Sequence, residues 1–248
     1  MSEAELRAAM DTSTAGEEAR RWLVEACARV RTEPQAIRTL FPAAARRCGR
    51  GPLPVAGQRI PWTVDLVARA LLLCALPLQD EPLADEVDQL YRYGDAAEKR
   101  AVLYALHLLP LGDRALPVVR DALRTNDTRL VAAALGPYGA THLDGPAWRQ
   151  GVLKCVFLGI PLDRVHGLPE RADAELARMM VDFARERIAA GRDVPADIWP
   201  VVNRHPQVVA AARLDDELHS SVPARREAAR RALAAREAAR VPVAPQDR

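Results

Sequence analysis

The sequence predicts an all-α protein of stacked antiparallel helices, arranged as an irregular HEAT- or armadillo-like α-solenoid. Three observations carry this. Apolar residues recur at helical spacing in one window after another, and no window alternates with strand period between turn signals. Aromatic residues are only 4% of the 248, so a core has to be built mainly from Leu, Val and Ala, which suits close helix–helix packing better than a β-sandwich. Three stretches, beginning at Glu98, Thr128 and Trp148, each place an Arg ahead of an apolar run at unequal intervals, the mark of a degenerate two-helix repeat.

Along the chain, residues 1–14 carry no apolar period and are expected to be disordered. From Glu17 a helix places Trp22, Leu23, Ala26 and Val30 on one stripe. Pro34 opens a second, with Ile37, Leu40 and Phe41 facing inward. Cys48 to Pro61 holds Gly49, Gly51, Pro52, Pro54 and Gly57 and reads as a long loop. Trp62–Leu76 is a strongly apolar helix stopped by Pro77. Helices then follow at Leu83–Tyr93, Asp95–Leu109, Asp113–Arg124, Asp127–Thr141, Pro146–Leu158, Ala172–Ala190, Pro195–Val202, Pro206–Ser220 and Pro223–Arg240. Asp at N-caps and Pro in first turns mark their starts. The last helix has Leu233 as its one large apolar residue and reads as a polar cap on the stack. Residues 15–240 are expected to form one repeat-like domain, with 241–248 a disordered tail.

Composition bounds the function. There are 35 basic and 33 acidic side chains, a net charge of +2, too balanced to provide much counterion-release drive toward nucleic acid. Lys99 and Lys154 are the only lysines. The cysteines Cys27, Cys48, Cys74 and Cys155 stand singly, without zinc or redox spacing, as in a reducing compartment. The acidic start Met1-Ser2-Glu3-Ala4-Glu5 lacks the apolar region of a signal peptide. The longest apolar run, Ala70 to Leu78, is too short to cross a bilayer. A cytoplasmic protein that is not integral to the membrane is expected. His107, His142, His166, His205 and His219 form no local metal pattern. No glycine-rich phosphate loop, dinucleotide fingerprint or nucleophile elbow occurs. No cofactor and no metal are expected.

Four stretches carry groups that chemistry could use. Arg46, Arg47 and Arg50, followed by Arg59, lie on or beside the glycine-bearing loop, where guanidinium groups can hold a phosphate or carboxylate. Tyr91 and Asp95 line a pocket or end one helix and cap the next. Arg124, Asn126, Asp127 and Arg129 sit at a helix–helix junction. There Asn126 or Asp127 can cap the new helix and Arg124 can meet the carbonyl end of the old one, or the group can form a polar cluster at a groove rim. Trp148, Lys154 and Cys155 lie in an apolar stretch. A buried Lys there is a base, whereas a paired or outward-led Lys is only structural. Cys155 needs a nearby base to act as a nucleophile, and its neighbour Lys154 points away from it on a helix.

The run RTNDTRLVAAALGPYGATHLDGPAWRQGVLKCVFLGIPL from Arg124 resembles the EboA family of bacterial proteins. LFPAAARRCGRGPL at Leu40–Leu53, YRYGDAAEKRAVLYAL at Tyr91–Leu106 and RADAELARMMVDFARERIAAGRDVPADIWP at Arg171–Pro200 fit the same family. The resemblance spans residues 15–202. It implies association with a gene group whose other members look like a membrane prenyltransferase, a sugar-phosphate cyclase, a metal-dependent hydrolase and a sugar-isomerase-like protein. That group is linked to making or exporting a secondary metabolite precursor. The resemblance supplies no catalytic residues, and it adds Tyr138 and His142 to the candidate positions above. The expected role is a non-enzymatic helical-repeat scaffold or binding protein. Its partners would be pathway proteins of that group or a small anionic or isoprenoid metabolite, with no nucleic acid and with peripheral contact to a membrane enzyme allowed. The alternatives are an enzyme acting on an isoprenoid or sugar-phosphate-like intermediate with Arg124, Asp127 and Lys154, and a HEAT-like nucleic-acid binder.

Overall fold

The computed structural model describes residues 2–13, 15–53 and 62–240, and every regular element among them is helical. Arg59 and the expected tail at 241–248 lie outside the described residues. The chain divides into two compact units, Met1–Asp144 and Gly145–Arg248, at a point where the sequence carries no linker signal.

The first unit contains α1 (Glu3–Asp11), α2 (Glu17–Thr32), α3 (Ile37–Cys48), α4 (Val64–Cys74), α5 (Asp80–Tyr93), α6 (Ala96–Ala105), α7 (Leu116–Arg124), α8 (Thr128–Ala134) and α9 (Pro137–His142). Its centre is α4, whose residues from Val64 to Leu73 are all buried. Helices α1, α2, α3 and α6 pack around it. That enclosure is why its sequence is apolar on every side save for Asp65 and Arg69, which are buried as a pair.

Helix α1 is an element that the periodicity missed. Ser2 and Glu5 form a reciprocal capping box, and Leu6 and Met10, one turn apart, are buried. Two large apolar residues in a nine-residue helix make too short a stripe to stand out. Residues 51–53 and 62–64 meet at one place. The Leu53 N–H donates to the Trp62 carbonyl at 2.9 Å and the Val64 N–H to the Gly51 carbonyl at 3.0 Å, and the Leu53 and Trp62 side chains are buried.

The single helix expected over Asp127–Thr141 is two, α8 and α9. Pro137 has no N–H for a helix continuing from α8, and instead it opens α9 in its first turn. Gly139 then lies so close to the preceding turn that a Cβ would collide with the Ala134 carbonyl, a contact that only glycine allows.

The second unit contains α10 (Gly145–Leu158), α11 (Leu168–Arg171), α12 (Ala174–Ala189), α13 (Trp199–Val202), α14 (Pro206–Ala212) and α15 (Pro223–Ala238). The helix expected from Ala172 begins at Ala174, because Asp173 caps it by accepting from the Leu176 N–H at 2.9 Å. Helix α12 is the hub, packed by α10, α13, α14 and α15. Helix α15 docks through Ala228, Ala229 and Ala232, small residues that allow close approach, while Leu233 is half-buried.

Candidate functional site

Helices α5, α6 and α7 enclose a cleft of about 520 Å3. Helix α5 contributes Asp88, Tyr91 and Arg92, α6 contributes Lys99, and α7 contributes Pro117, Val118, Arg120, Asp121 and Arg124. Tyr91 is anchored within it. Its ring is buried, its hydroxyl donates to Asp121 Oδ2 at 3.0 Å, and Lys99 Nζ stands 5.2 Å from the ring centroid. Burial, and then the Asp121 carboxylate, push the Tyr91 phenol up from its ordinary pKa. Tyr91 is therefore a neutral donor.

The charges of the cleft are unequally occupied. Asp88 pairs with Arg92 at 2.7 Å, Arg120 reaches Asp144 at 3.4 Å, and Asp121 accepts from Tyr91. Lys99 and Arg124 make no ion pair among the described residues. Two cations with unspent donors therefore face one space. Fixed ammonium and guanidinium donors on helices suit a phosphate or carboxylate.

Tyr91 and Arg124, 33 positions apart, thus share one cleft, while the other predicted residues fall elsewhere. Arg46 and Arg47 are exposed in the last turn of α3, with Arg50 exposed just beyond it. There they complement the partial negative charge of the helix C-terminus, a poor place for an anion. Asp95 caps α6, accepting from the Ala97 and Glu98 N–H groups at 2.8 Å each. Asp127 caps α8 through the Arg129 N–H at 2.9 Å, and the Arg129 guanidinium grips its carboxylate with two further bonds. Arg129 holds the Asp127 carboxyl below its usual pKa, which makes it a poor base. Asn126 is exposed.

Tyr138 donates to the Gly112 carbonyl at 2.7 Å and accepts from the Ala115 N–H at 3.1 Å, with the His142 ring at 4.3 Å. It ties down the turn that leads into α7. In the second unit Trp148 is buried under the Arg171 guanidinium, 4.7 Å from its ring. Lys154 is half-buried, not enclosed as a lysine base would be. Cys155 is fully buried, and burial raises its thiol to about 12, leaving no thiolate for nucleophilic attack at neutral pH. Among the described residues no group of His, Cys, Asp and Glu could hold a metal ion, and no helix is long and apolar enough to cross a membrane.

The sequence reading passed over a buried polar network behind α5. Arg69, 1% exposed, bonds Asp65 at 2.7 Å and the Phe41 carbonyl at 3.1 Å, and approaches Glu98 at 3.8 Å. The Thr63 hydroxyl donates to Asp65 at 2.6 Å. The signal was present: Asp65 and Arg69 are charges one turn apart inside an otherwise apolar window, and such residues share a face. The neighbouring Glu86–Arg38 pair, at 2.7 Å, joins residues 48 positions apart and has no local signal.

Comparison with curated proteins finds no match, and comparison with solved structures finds none. One family model, described as metabolite traffic protein EboA, matches residues 4–203. It runs from within α1 through α13 and takes in the whole α5–α6–α7 cleft, and on that match the chain belongs to the EboA family.

Proposed function

We propose that this protein is a non-enzymatic binding protein for a small anionic metabolite, held in the α5–α6–α7 cleft by Lys99 and Arg124 over the Tyr91 ring. The observation that carries this is the pair of cations facing one cleft with no carboxylate partner among the described residues. The family description, metabolite traffic, fits a protein that holds and hands over a compound. The walls of the cleft are mainly polar and charged, which favours a phosphorylated polar metabolite over the bare chain of an isoprenoid. In this reading the stacked helices, with the HEAT-like order of the repeats, are the rigid scaffold, and the pathway proteins that deliver and receive the compound dock on it in the cytoplasm.

The enzyme reading has less support. Asp127 is committed to capping a helix, Lys154 is half-buried in the other unit, and Cys155 is enclosed as a thiol. The nucleic-acid reading lacks excess positive charge, at +2 for the whole chain.

Calorimetric titration with inorganic pyrophosphate tests the proposal. The double variant Lys99→Met, Arg124→Gln is expected to lower affinity about tenfold or more, since each removes a charge-assisted hydrogen bond. The triple variant Arg46→Gln, Arg47→Gln, Arg50→Gln is expected to bind as wild type does. Unchanged binding in the double variant, or loss in the triple variant alone, overturns the assignment of the cleft.

A further inference from the structure

A second cleft, of about 180 Å3, uses a different face of α5, together with α3 and the start of α6. Its chemistry is unlike that of the first. The walls are Phe41, Pro42, Leu90 and Tyr93, and the polar groups are the carboxylates of Glu86 and Glu98 with Arg38 at the edge. Glu86 is 7% exposed and holds Arg38 through two guanidinium nitrogens, at 3.0 and 2.7 Å. Arg38 itself lies half in solvent.

Glu98 is less well served. Its Oε2 accepts from the Asp95 N–H at 3.0 Å, while its Oε1 has Arg69 only at 3.8 Å, beyond hydrogen-bond length. Arg69 is already taken by Asp65 at 2.7 Å. Of the two carboxylates that line this apolar-walled cleft, Glu86 is matched by Arg38, while Glu98 has only the distant Arg69, which lies outside the lining and is paired with Asp65. Low dielectric strengthens the pull of the unmatched negative charge on any cation that enters. The Phe41 ring already carries the Arg69 guanidinium at 5.6 Å. Tyr93, 88% exposed at the rim, offers an uncovered aromatic face that also favours a cation.

We propose that this cleft binds a small organic ammonium ion carrying an apolar alkyl or aryl group. The apolar group lies against Phe41, Leu90 and Tyr93, and the ammonium donates to Glu98 Oε1 and Glu86. The small volume excludes bulky ligands, and the carboxylates repel anions. The site is independent of the anion cleft, because Lys99, next to Glu98 on α6, lines the other space.

The test is a titration of the full ¹⁵N-labelled chain with 3-methylbutylammonium chloride, followed through the amide signals of Gln89, Leu90 and Gly94. Two ligands of similar shape serve as comparisons: neutral 3-methylbutan-1-ol and anionic 4-methylpentanoate. The expected result is that the ammonium binds about tenfold or more tightly than the alcohol, as a charge-assisted bond requires, and that the acid gives no response. Glu98→Gln is expected to abolish the preference for the ammonium, while Gln in the third helical position keeps the capping box of α6. The proposal is overturned if the alcohol binds as well as the ammonium, if the acid binds better, if the signals that shift lie outside the cleft, or if Glu98→Gln retains the preference. Should Glu98→Gln fail to fold, the comparison of the three ligands on wild type decides the matter.

Discussion

Replacing Arg69 by Met removes the cation that Asp65 and Glu98 share. The side chain is 1% exposed, and Asp65 Oδ2 accepts from it at 2.7 Å, so the substitution leaves a buried carboxylate that keeps, among the described residues, the Thr63 hydroxyl as its side-chain donor. It also strips the Phe41 carbonyl of its guanidinium donor. Breaking one side of a buried ion pair costs about 3–5 kcal/mol. At roughly 3 °C per kcal/mol for a unit of this size, the transition of the first unit should fall by about 10–15 °C. Replacing both partners, Arg69→Met with Asp65→Leu, removes the stranded charge and should recover much of the loss, because apolar replacement of a buried pair is often neutral or better. Differential scanning calorimetry of wild type, both single variants and the double variant closes the cycle. A loss below about 1 kcal/mol in Arg69→Met, or a double variant as unstable as the two singles added together, would refute the view that α4 depends on this pair.

Tyr138→Phe leaves the buried Ala115 N–H without its acceptor and should cost about 1–3 kcal/mol, read by urea denaturation. Asp127→Ala should cost about 1 kcal/mol through the lost cap of α8, and Asp127→Asn much less. Arg129 lowers the folded-state pKa of Asp127 from its ordinary 3.8. The stability this adds is therefore present above that value and lost as pH falls through the folded pKa. The Asn variant should lack that acid-dependent increment, and a wild type with no such difference from the variant would count against the Arg129 contact. Burial raises Cys48, Cys74 and Cys155 from 9.0 to about 12. Their thiol forms are favoured on folding, so the stability they add is complete below about 9 and is lost as pH rises toward about 12. At pH 8 Cys48 and Cys155, which are buried, should react with Ellman's reagent only after urea is added, and rapid labelling of either in the folded chain would contradict their burial.

The elements most legible in the sequence are those whose signal is local. The stripe from Glu17, the proline starts at Pro206 and Pro223 and the aspartate caps at Asp95 and Asp127 each act within one or two turns. The structure places a helix end or cap at each of them. Where a local rule competed with periodicity, periodicity misled. The apolar pattern continues from Leu130 past Tyr138, yet Pro137 divides it into α8 and α9. Where the pattern was merely short, as at Leu6 and Met10, a packed helix went unseen.

The two clefts show why the site residues were harder to read than the fold. Helix α5, DEPLADEVDQLYRY, carries five acidic residues and one Arg, and nothing local distinguishes the carboxylates that will be buried from those that stay in water. Burial is decided by partners far along the chain: Arg38 of α3 for Glu86, and Asp121 of α7 for Tyr91. Residues 86, 90 and 93 fall on one face and 88, 91 and 92 on another by helical spacing alone. The sequence therefore determines that α5 can present two chemically distinct faces. Which face meets anions and which meets cations depends on what packs beside each. Lys99 and Arg124 make one face attractive to anions, while Glu98, Phe41 and Leu90 make the other acidic and apolar. Glu98 and Lys99 are adjacent in sequence and line different clefts, so a shift of one residue in the register of α6 would bring Lys99 to the place of Glu98, or Glu98 to the place of Lys99, and reverse the charge that α6 gives to one of those clefts. The Asp95–Glu98 capping box, which fixes where α6 begins, thereby fixes the sign of each cleft.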